Sequence, residues 1–324
     1  MVGFVLRGFW VFAGRLLLAV AGASLAYLLA AMCLDPGAEL EGGSPRPPRA
    51  VVQARLHGLG LDDRTPLVRR YATWAAGVAR GDFGETLDGS PVGGELRRRL
   101  GVSLRLVVAG AMLGTLGGML AGAYGASRQY GPADRLLTAG ALVTLSVPVF
   151  ALALLAQTAA QWLNTRTGVR VLAWTGEYTP GATGPADRLR HLVLPTLTLA
   201  SVQAATCARY QRGVLLDVLH AGHVRAAMAR GLPRRRALRR HALRVAAIPT
   251  ATFATYGLAG LLTGAAITEK LFAWHGMGEW LIDAIDQNDV NTVAACGYVT
   301  ALTVTAAGLA ADLARATLDP RARG

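Results

Sequence analysis

The stretch that decides the fold runs from His223 to Arg244 and reads H-V-R-A-A-M-A-R-G-L-P-R-R-R-A-L-R-R-H-A-L-R. It lies between two long apolar segments, and its pattern predicts a short helix, a glycine stop and a second helix. Ala226, Ala227 and Ala229 supply helix propensity with almost no bulk. Gly231 suits the left-handed conformation that closes a helix C-terminus. Pro233 suits the first turn of the next helix, where its missing N–H costs nothing. Small residues let another surface approach the backbone closely, so a compact knob of this kind is built to dock into something.

Outward from the knob the apolar residues come in blocks. Six candidate spans lie at about 9–34, 102–126, 136–163, 191–215, 246–268 and 292–314. Each holds about 20 mostly apolar residues, enough to cross a ~30 Å hydrocarbon core. The hydrophobic fraction is 52% and the mean hydropathy +0.36, and six such runs argue against buried helices of a soluble core. The expected fold class is an all-α polytopic membrane protein with six transmembrane helices, a helical cytoplasmic loop between the fourth and fifth and a long external loop after the first helix. The first run is long for a cleaved signal segment, and only Arg7 and Arg15 supply its positive charge. Cys33 follows Leu-Ala-Ala-Met, a faint lipoprotein-like pattern in which Met32 fits poorly.

The formal net charge is +13, and 32 of the 33 basic residues are arginine, Lys270 being the lysine. Nucleic-acid binding is the reflex reading of such a balance, but the distribution argues against it. The loop 216–245 carries Arg225, Arg230, Arg234, Arg235, Arg236, Arg239, Arg240 and Arg244 against one acid, Asp217. Arg128 and Arg135 flank another short loop, and Arg315, Arg321 and Arg323 close the chain. These are the places where the positive-inside rule wants charge, and arginine there also meets anionic lipid headgroups. The knob is therefore expected inside, and both termini with it. The external 35–99 loop runs against this with ten arginines and nine acids; loops beyond about 60 residues are translocated largely regardless of charge.

Within that external segment, Thr65 reads as an N-cap and Pro66 as a first-turn residue of a helix. Leu67, Tyr71, Trp74 and Val78 share one face of it. The stripe serves either to shape the mouth of a path or simply to pack the loop. Span 2 carries Gly110, Gly114, Gly118 and Gly122 on one face, which lets a second helix come close. Internal packing is the favoured use, over a subunit interface. Gly260 and Gly264 repeat the device in span 5. Ser146-Val147-Pro148 predicts a kink in span 3, either lining a path or without a role in gating. Trp274, Met277, Trp280, Leu281 and Ile285 fit an external amphipathic helix, with Glu279, Asp283 and Asp286 elsewhere on it. Its tryptophans suit an interfacial anchor.

What is lacking narrows the mechanism. There is no G-x-x-x-x-G-K-[ST] phosphate loop, no H-E-x-x-H and no G-x-S-x-G elbow. Cys33, Cys207 and Cys296 have no metal-ligand spacing. His220 and His223 share a helix face at spacing three but have no partner ligand nearby in sequence. No metal, cofactor or catalytic residue is expected. The span centres also lack Asp, Glu, Lys and Arg, the groups with which ion-coupled carriers do their work. Energy then arrives mechanically from outside the chain.

The 223–244 stretch resembles the cytoplasmic coupling ("EAA") loop of ABC importer membrane subunits, and in particular of the oligopeptide/dipeptide permease family. Arg225 stands where many ABC importers have Glu, a position at which the peptide branch also departs. The resemblance extends to Arg70–Leu87 (R-Y-A-T-W-A-A-G-V-A-R-G-D-F-G-E-T-L), Leu194–Ala200 (L-P-T-L-T-L-A), Ile267–Leu281 and the tail Leu318–Arg321 (L-D-P-R). It implies a multi-pass protein of the bacterial cytoplasmic membrane with the type I importer permease fold. Its parts are then a first transmembrane helix (1–34), an external segment (35–101) and a permease core (102–324) carrying the coupling loop 216–245. The implied partners are a second homologous permease subunit, two cytoplasmic ABC ATPase subunits, an external substrate-binding protein and membrane lipid, with no nucleic acid. Arg225, Ala226, Ala227, Gly231, Leu232 and Pro233 are the implied ATPase-docking residues. Peptide is the implied cargo, with nickel or glutathione as same-family alternatives. A stand-alone channel or secondary carrier is the rival of another class, and a membrane-embedded enzyme lacks the catalytic residues it needs.

Overall fold

The computed structural model describes residues 2–42, 47–181 and 184–318. Residues 43–46 of the proline-rich stretch, residues 319–321 of the tail motif and Arg323 lie outside them. Among the described residues the secondary structure is helical, apart from a single antiparallel bridge between Glu85 and Pro91. The helices are α1 (Val2–Cys33), α2 (Pro36–Glu41), α3 (Arg49–Gly58), α4 (Leu67–Ala79), α5 (Val92–Ser127), α6 (Pro132–Ser146) and α7 (Val149–Thr167). They continue as α8 (Pro185–Leu219), α9 (Gly222–Ala229), α10 (Arg234–Ala237), α11 (Leu243–Phe272), α12 (Met277–Asp286) and α13 (Val290–Leu318), with a π-helical turn at Leu238–Ala242.

Phe12–Cys33, Val92–Ser127, Pro185–Leu219 and Val290–Asp312 are each long and apolar enough to cross a membrane. Two bent pairs raise the number to at most six: α6 with α7 at 107°, and Arg234–Thr255 with Gly260–Phe272 at 46°. The bend falls where Ser146-Val147-Pro148 predicts a kink, and at 107° it is sharp. Val147 is pushed into the extended region (φ −94°, ψ 126°) by the proline that follows it. Two extended residues, Val147 and Pro148, lie between the helices and redirect the chain. Pro195 and Pro249 lie inside α8 and α11 without such a break.

The chain gathers into two compact units, Met1–Ser103 with His275–Ala306, and Leu104–Trp274 with Ala307–Gly324. In the first, α4 packs its apolar face on α1. Tyr27 stacks on Trp74 at 4.7 Å between ring centroids, and the Tyr71 hydroxyl lies 2.6 Å from that of Ser24. Val52, Leu56, Leu59, Leu61, Val290 and Ala294 complete this core, so the α4 stripe is packed, as both of its expected uses require. Pro66, not Thr65, caps α4: its carbonyl accepts the Arg69 and Arg70 amides, and the cap has no side-chain bond.

α12 sets Met277, Trp280 and Leu281 against Val92, Leu96, Ala295, Cys296 and Val299. One expectation about this segment is corrected. Trp274 precedes the helix, is 4% exposed and belongs to the second unit, because Ala273 at φ 47° turns the chain there. Glu279, expected off the apolar stripe, is nonetheless covered. It is 8% exposed, with His275 Nδ1 at 2.9 Å and Arg99 Nη1 at 3.7 Å.

In the second unit the glycine stripe of α5 meets α8. A Cβ on Gly114 would lie 2.7 Å from the Ala200 carbonyl oxygen, and one on Gly118 2.6 Å from that of Ala204. Gly122 comes equally close to the Ala208 carbonyl. The stripe is therefore an internal helix contact. α8 also meets α11, where Tyr210 stacks on Phe253 at 4.2 Å between ring centroids. Gly264 touches Leu199, but Gly260 faces open space, so the second glycine pair does not repeat the α5 device.

Candidate functional site

The knob forms where α8 ends. The Asp217 carbonyl accepts the His220 amide and the Val218 carbonyl the Ala221 amide, and Ala221 in extended conformation opens α9. His220 and His223 consequently lie on either side of a helix break and not on one helix face. α9 is two-sided. Val224 is fully buried and Ala227 is 6% exposed, whereas Arg225, Ala226, Ala229 and Arg230 face outward.

The expected glycine stop is present in full. Gly231 has φ 93°, its amide donates to the Met228 carbonyl at 2.9 Å, and the Leu232 amide donates to the Ala227 carbonyl at 3.2 Å. This is the paired bonding of a Schellman closure. Pro233 comes one place earlier than expected. It is the N-cap of α10, in extended conformation (ψ 142°), and its carbonyl accepts the Arg236 and Ala237 amides.

The inward side of the knob is anchored in one apolar cluster. Val224 packs with Leu215 and Leu219 of α8, Ala126 of α5, and Ala237, Leu238, Ala242 and Ala246 of the α10–α11 run. Of the six candidate docking residues, Arg225, Ala226, Gly231 and Pro233 are exposed, Leu232 is half-buried and Ala227 is covered. Nothing lies within 4 Å of a Cβ built on Gly231. The resulting ledge is convex, backbone-exposing and basic. Among the described residues none of its arginines makes an ion pair.

Sequence reasoning missed the π-helical turn and the partner of Asp134, and gave Arg128 only as a charge at the edge of a short loop. The π-helical turn at Leu238–Ala242 has no local sequence signal; the Leu243 amide reaches back to the Leu238 carbonyl. Arg128 at the end of α5 lies 5.1 Å over the Tyr124 ring. Asp134 is bound by Arg212, and its signal was an acid set between arginines in the short 127–135 turn. What the arrangement presents is exposed backbone and positive charge. Among the described residues no group of three His, Cys, Asp or Glu side chains is placed to hold a metal ion.

Residues 114–324 match the family model described as binding-protein-dependent transport system inner membrane component. The chain is 49% identical over 304 residues to the oligopeptide transport system permease protein OppB of Mycobacterium tuberculosis, covering 92% of this chain and 93% of that protein. It is 30% identical over 268 residues to the oligopeptide permease protein AppB of Bacillus subtilis, covering 81% and 82%. The dipeptide permease protein DppB of Escherichia coli K12 is 30% identical over 286 residues, with 83% and 84% covered.

Proposed function

Since this chain belongs to the family of binding-protein-dependent transport system inner membrane components, we propose that it is the transmembrane permease subunit of an ATP-driven peptide importer. The observation that carries this reading is the 49% identity to an oligopeptide permease protein over 92% of the chain. The relatives named for oligopeptides and dipeptides favour peptide over nickel or glutathione as cargo.

In this reading six spans cross the cytoplasmic membrane, each bent pair counting as one, and both termini and the knob lie inside. The chain forms half of the translocation path beside a second, homologous permease subunit. Two ATPase subunits dock from the cytoplasm on Arg225, Ala226, Gly231, Leu232 and Pro233, and a substrate-binding protein delivers peptide from outside. Ala227 supports this surface from beneath. The first helix 1–34, the external segment 35–101 and the core 102–324 are its functional parts.

The anchoring of the knob gives the coupling a physical route. A rigid closure at the Gly231 end and a buried Val224 leave little slack between ledge and cluster. The cluster holds the ends of α5, α8 and the α10–α11 run together. Well-packed interiors transmit strain and do not absorb it. A push on the ledge therefore moves those three helices together and changes the access of the path.

The test is purification of the tagged chain in mild detergent. Co-purification of ATPase subunits and a second permease chain is expected. Recovery of this chain alone overturns the assembly.

A further inference from the structure

A cavity of about 500 Å³ opens beside the knob, in the second unit. Arg128 and Tyr124 from the end of α5 form one wall, and Arg234, Arg235 and Arg239 from the start of the α10–α11 run form the other. The three latter arginines are exposed, and among the described residues they have no carboxylate partner. Four arginines therefore line one space with no acid lining it. Guanidinium is the side chain best matched to phosphate oxygens, which it can bind in pairs.

A second observation identifies what kind of anion this is. Leu113, Leu116 and Leu120 are 55%, 56% and 72% exposed and follow one another at spacings of three and four along α5, and Tyr124 continues the line. They lie roughly opposite the glycine stripe that packs on α8. An exposed leucine track thus runs down the helix and ends at the arginine cavity. A soluble anion or an acidic protein face has no use for the track. An amphiphile with a phosphate head and acyl chains uses both parts.

We propose that this cavity is a binding site for an anionic glycerophospholipid, with its phosphate among Arg128, Arg234, Arg235 and Arg239 and its chains along Leu113–Leu120. The site stands independently of the coupling assignment. A lipid wedged between α5 and the α10–α11 run makes the inner end of the permease sensitive to membrane composition.

The experiment titrates the full chain, purified in mild detergent, with phosphatidylglycerol, phosphatidylcholine or inorganic phosphate, and counts retained molecules by native mass spectrometry. One tight phosphatidylglycerol adduct is expected, with none for phosphatidylcholine and no displacement by millimolar phosphate. Each arginine near a lipid surface contributes about a fivefold change in affinity. The pair Arg234→Gln with Arg239→Gln should then weaken binding about 25-fold, and the exposed control pair Arg49→Gln with Arg69→Gln should not. Equal binding by phosphatidylcholine, full displacement by inorganic phosphate, or unchanged binding in the Arg234/Arg239 pair overturns the proposal. So does loss of the adduct when ATPase subunits are present, which makes the cavity part of a protein interface. If the double variant does not accumulate, the three-ligand comparison on the parent chain decides.

Discussion

Arg212 grips Asp134 with two arms of its guanidinium, Nε to Oδ1 at 2.6 Å and Nη2 to Oδ2 at 2.8 Å. The aspartate side chain is 3% exposed and the arginine side chain 27%. The Tyr130 amide adds a bond to Oδ2 at 2.9 Å. The pair thus pins the first turn of α6, and the turn before it, to α8 just above the knob. Removing one partner of a buried pair strands the other charge and costs about 3–5 kcal/mol, whereas replacing both with apolar residues costs far less. Arg212→Met should therefore lower the melting temperature in detergent more than Arg212→Met combined with Asp134→Leu. Additive losses contradict a buried, coupled pair.

The α5–α8 contact makes a prediction that separates neighbouring glycines. Gly118 has the Ala204 carbonyl at 2.6 Å and the Cys207 Cβ at 2.7 Å from the position of an added methyl, whereas Gly117 has nothing within 4 Å. Overpacking a well-filled contact costs roughly 1–3 kcal/mol, occasionally more. Gly118→Ala should destabilise and Gly118→Leu should block assembly, with Gly117→Ala tolerated. Normal expression and transport by Gly118→Leu rules out the close crossing.

Gly231 tests the knob itself. Its φ of 93° costs an ordinary L-residue roughly 1–2 kcal/mol. Open space around it means that a larger side chain there disturbs a docked surface before it disturbs the fold. Gly231→Trp should insert into the membrane at parent levels and lose uptake. Unchanged uptake removes this residue from the docking surface.

Two aspartates outside the spans give opposite pH signatures. Burial pushes the Asp289 carboxyl above its ordinary value, against the hydrogen bonds donated by the Thr292 amide and hydroxyl. An acid shifted upward favours the fold below its ordinary pKa, and that support is lost as pH rises through the raised value. The Asp88 carboxyl is lowered, first by the Thr86 hydroxyl and then by the Ser90 amide and Arg55. Its support is present above the ordinary carboxylate pKa and fades as pH falls through the lowered one. Both residues line one cavity with Glu39, Glu95 and Arg99. Asn keeps the N-cap acceptor that Asp289 provides to α13. Asp289→Asn should therefore match or exceed the parent's stability at pH 7.5, the advantage shrinking toward about pH 4. Asp88→Asn should lose stability at pH 7.5. Thermal unfolding at the two pH values checks both.

The apolar blocks, the α5 glycine stripe and the Gly231 closure were legible in the sequence because each has a single local physical cause. Hydropathy marks a span, a small-residue repeat marks a close crossing, and glycine marks positive φ. The α5 and α8 helices still overshoot their expected spans at both ends, since helix propensity continues where hydropathy fades. Prolines were read less well. Pro66 and Pro233 each stand one place before the expected position, as N-caps. Pro148 starts a new helix at 107°, while Pro195 and Pro249 stay inside helices. Only tertiary packing separates those outcomes. Burial of Glu279 and covering of Ala227 were likewise invisible, because both depend on residues distant in the chain.

The most direct measurement of the central claim is uptake of a labelled peptide into proteoliposomes holding this chain, with and without its partners and ATP. The account predicts uptake only when the second permease, the ATPase subunits with ATP, and the binding protein are all present. Uptake by this chain alone in ATP-free liposomes contradicts it and identifies a self-sufficient channel or carrier.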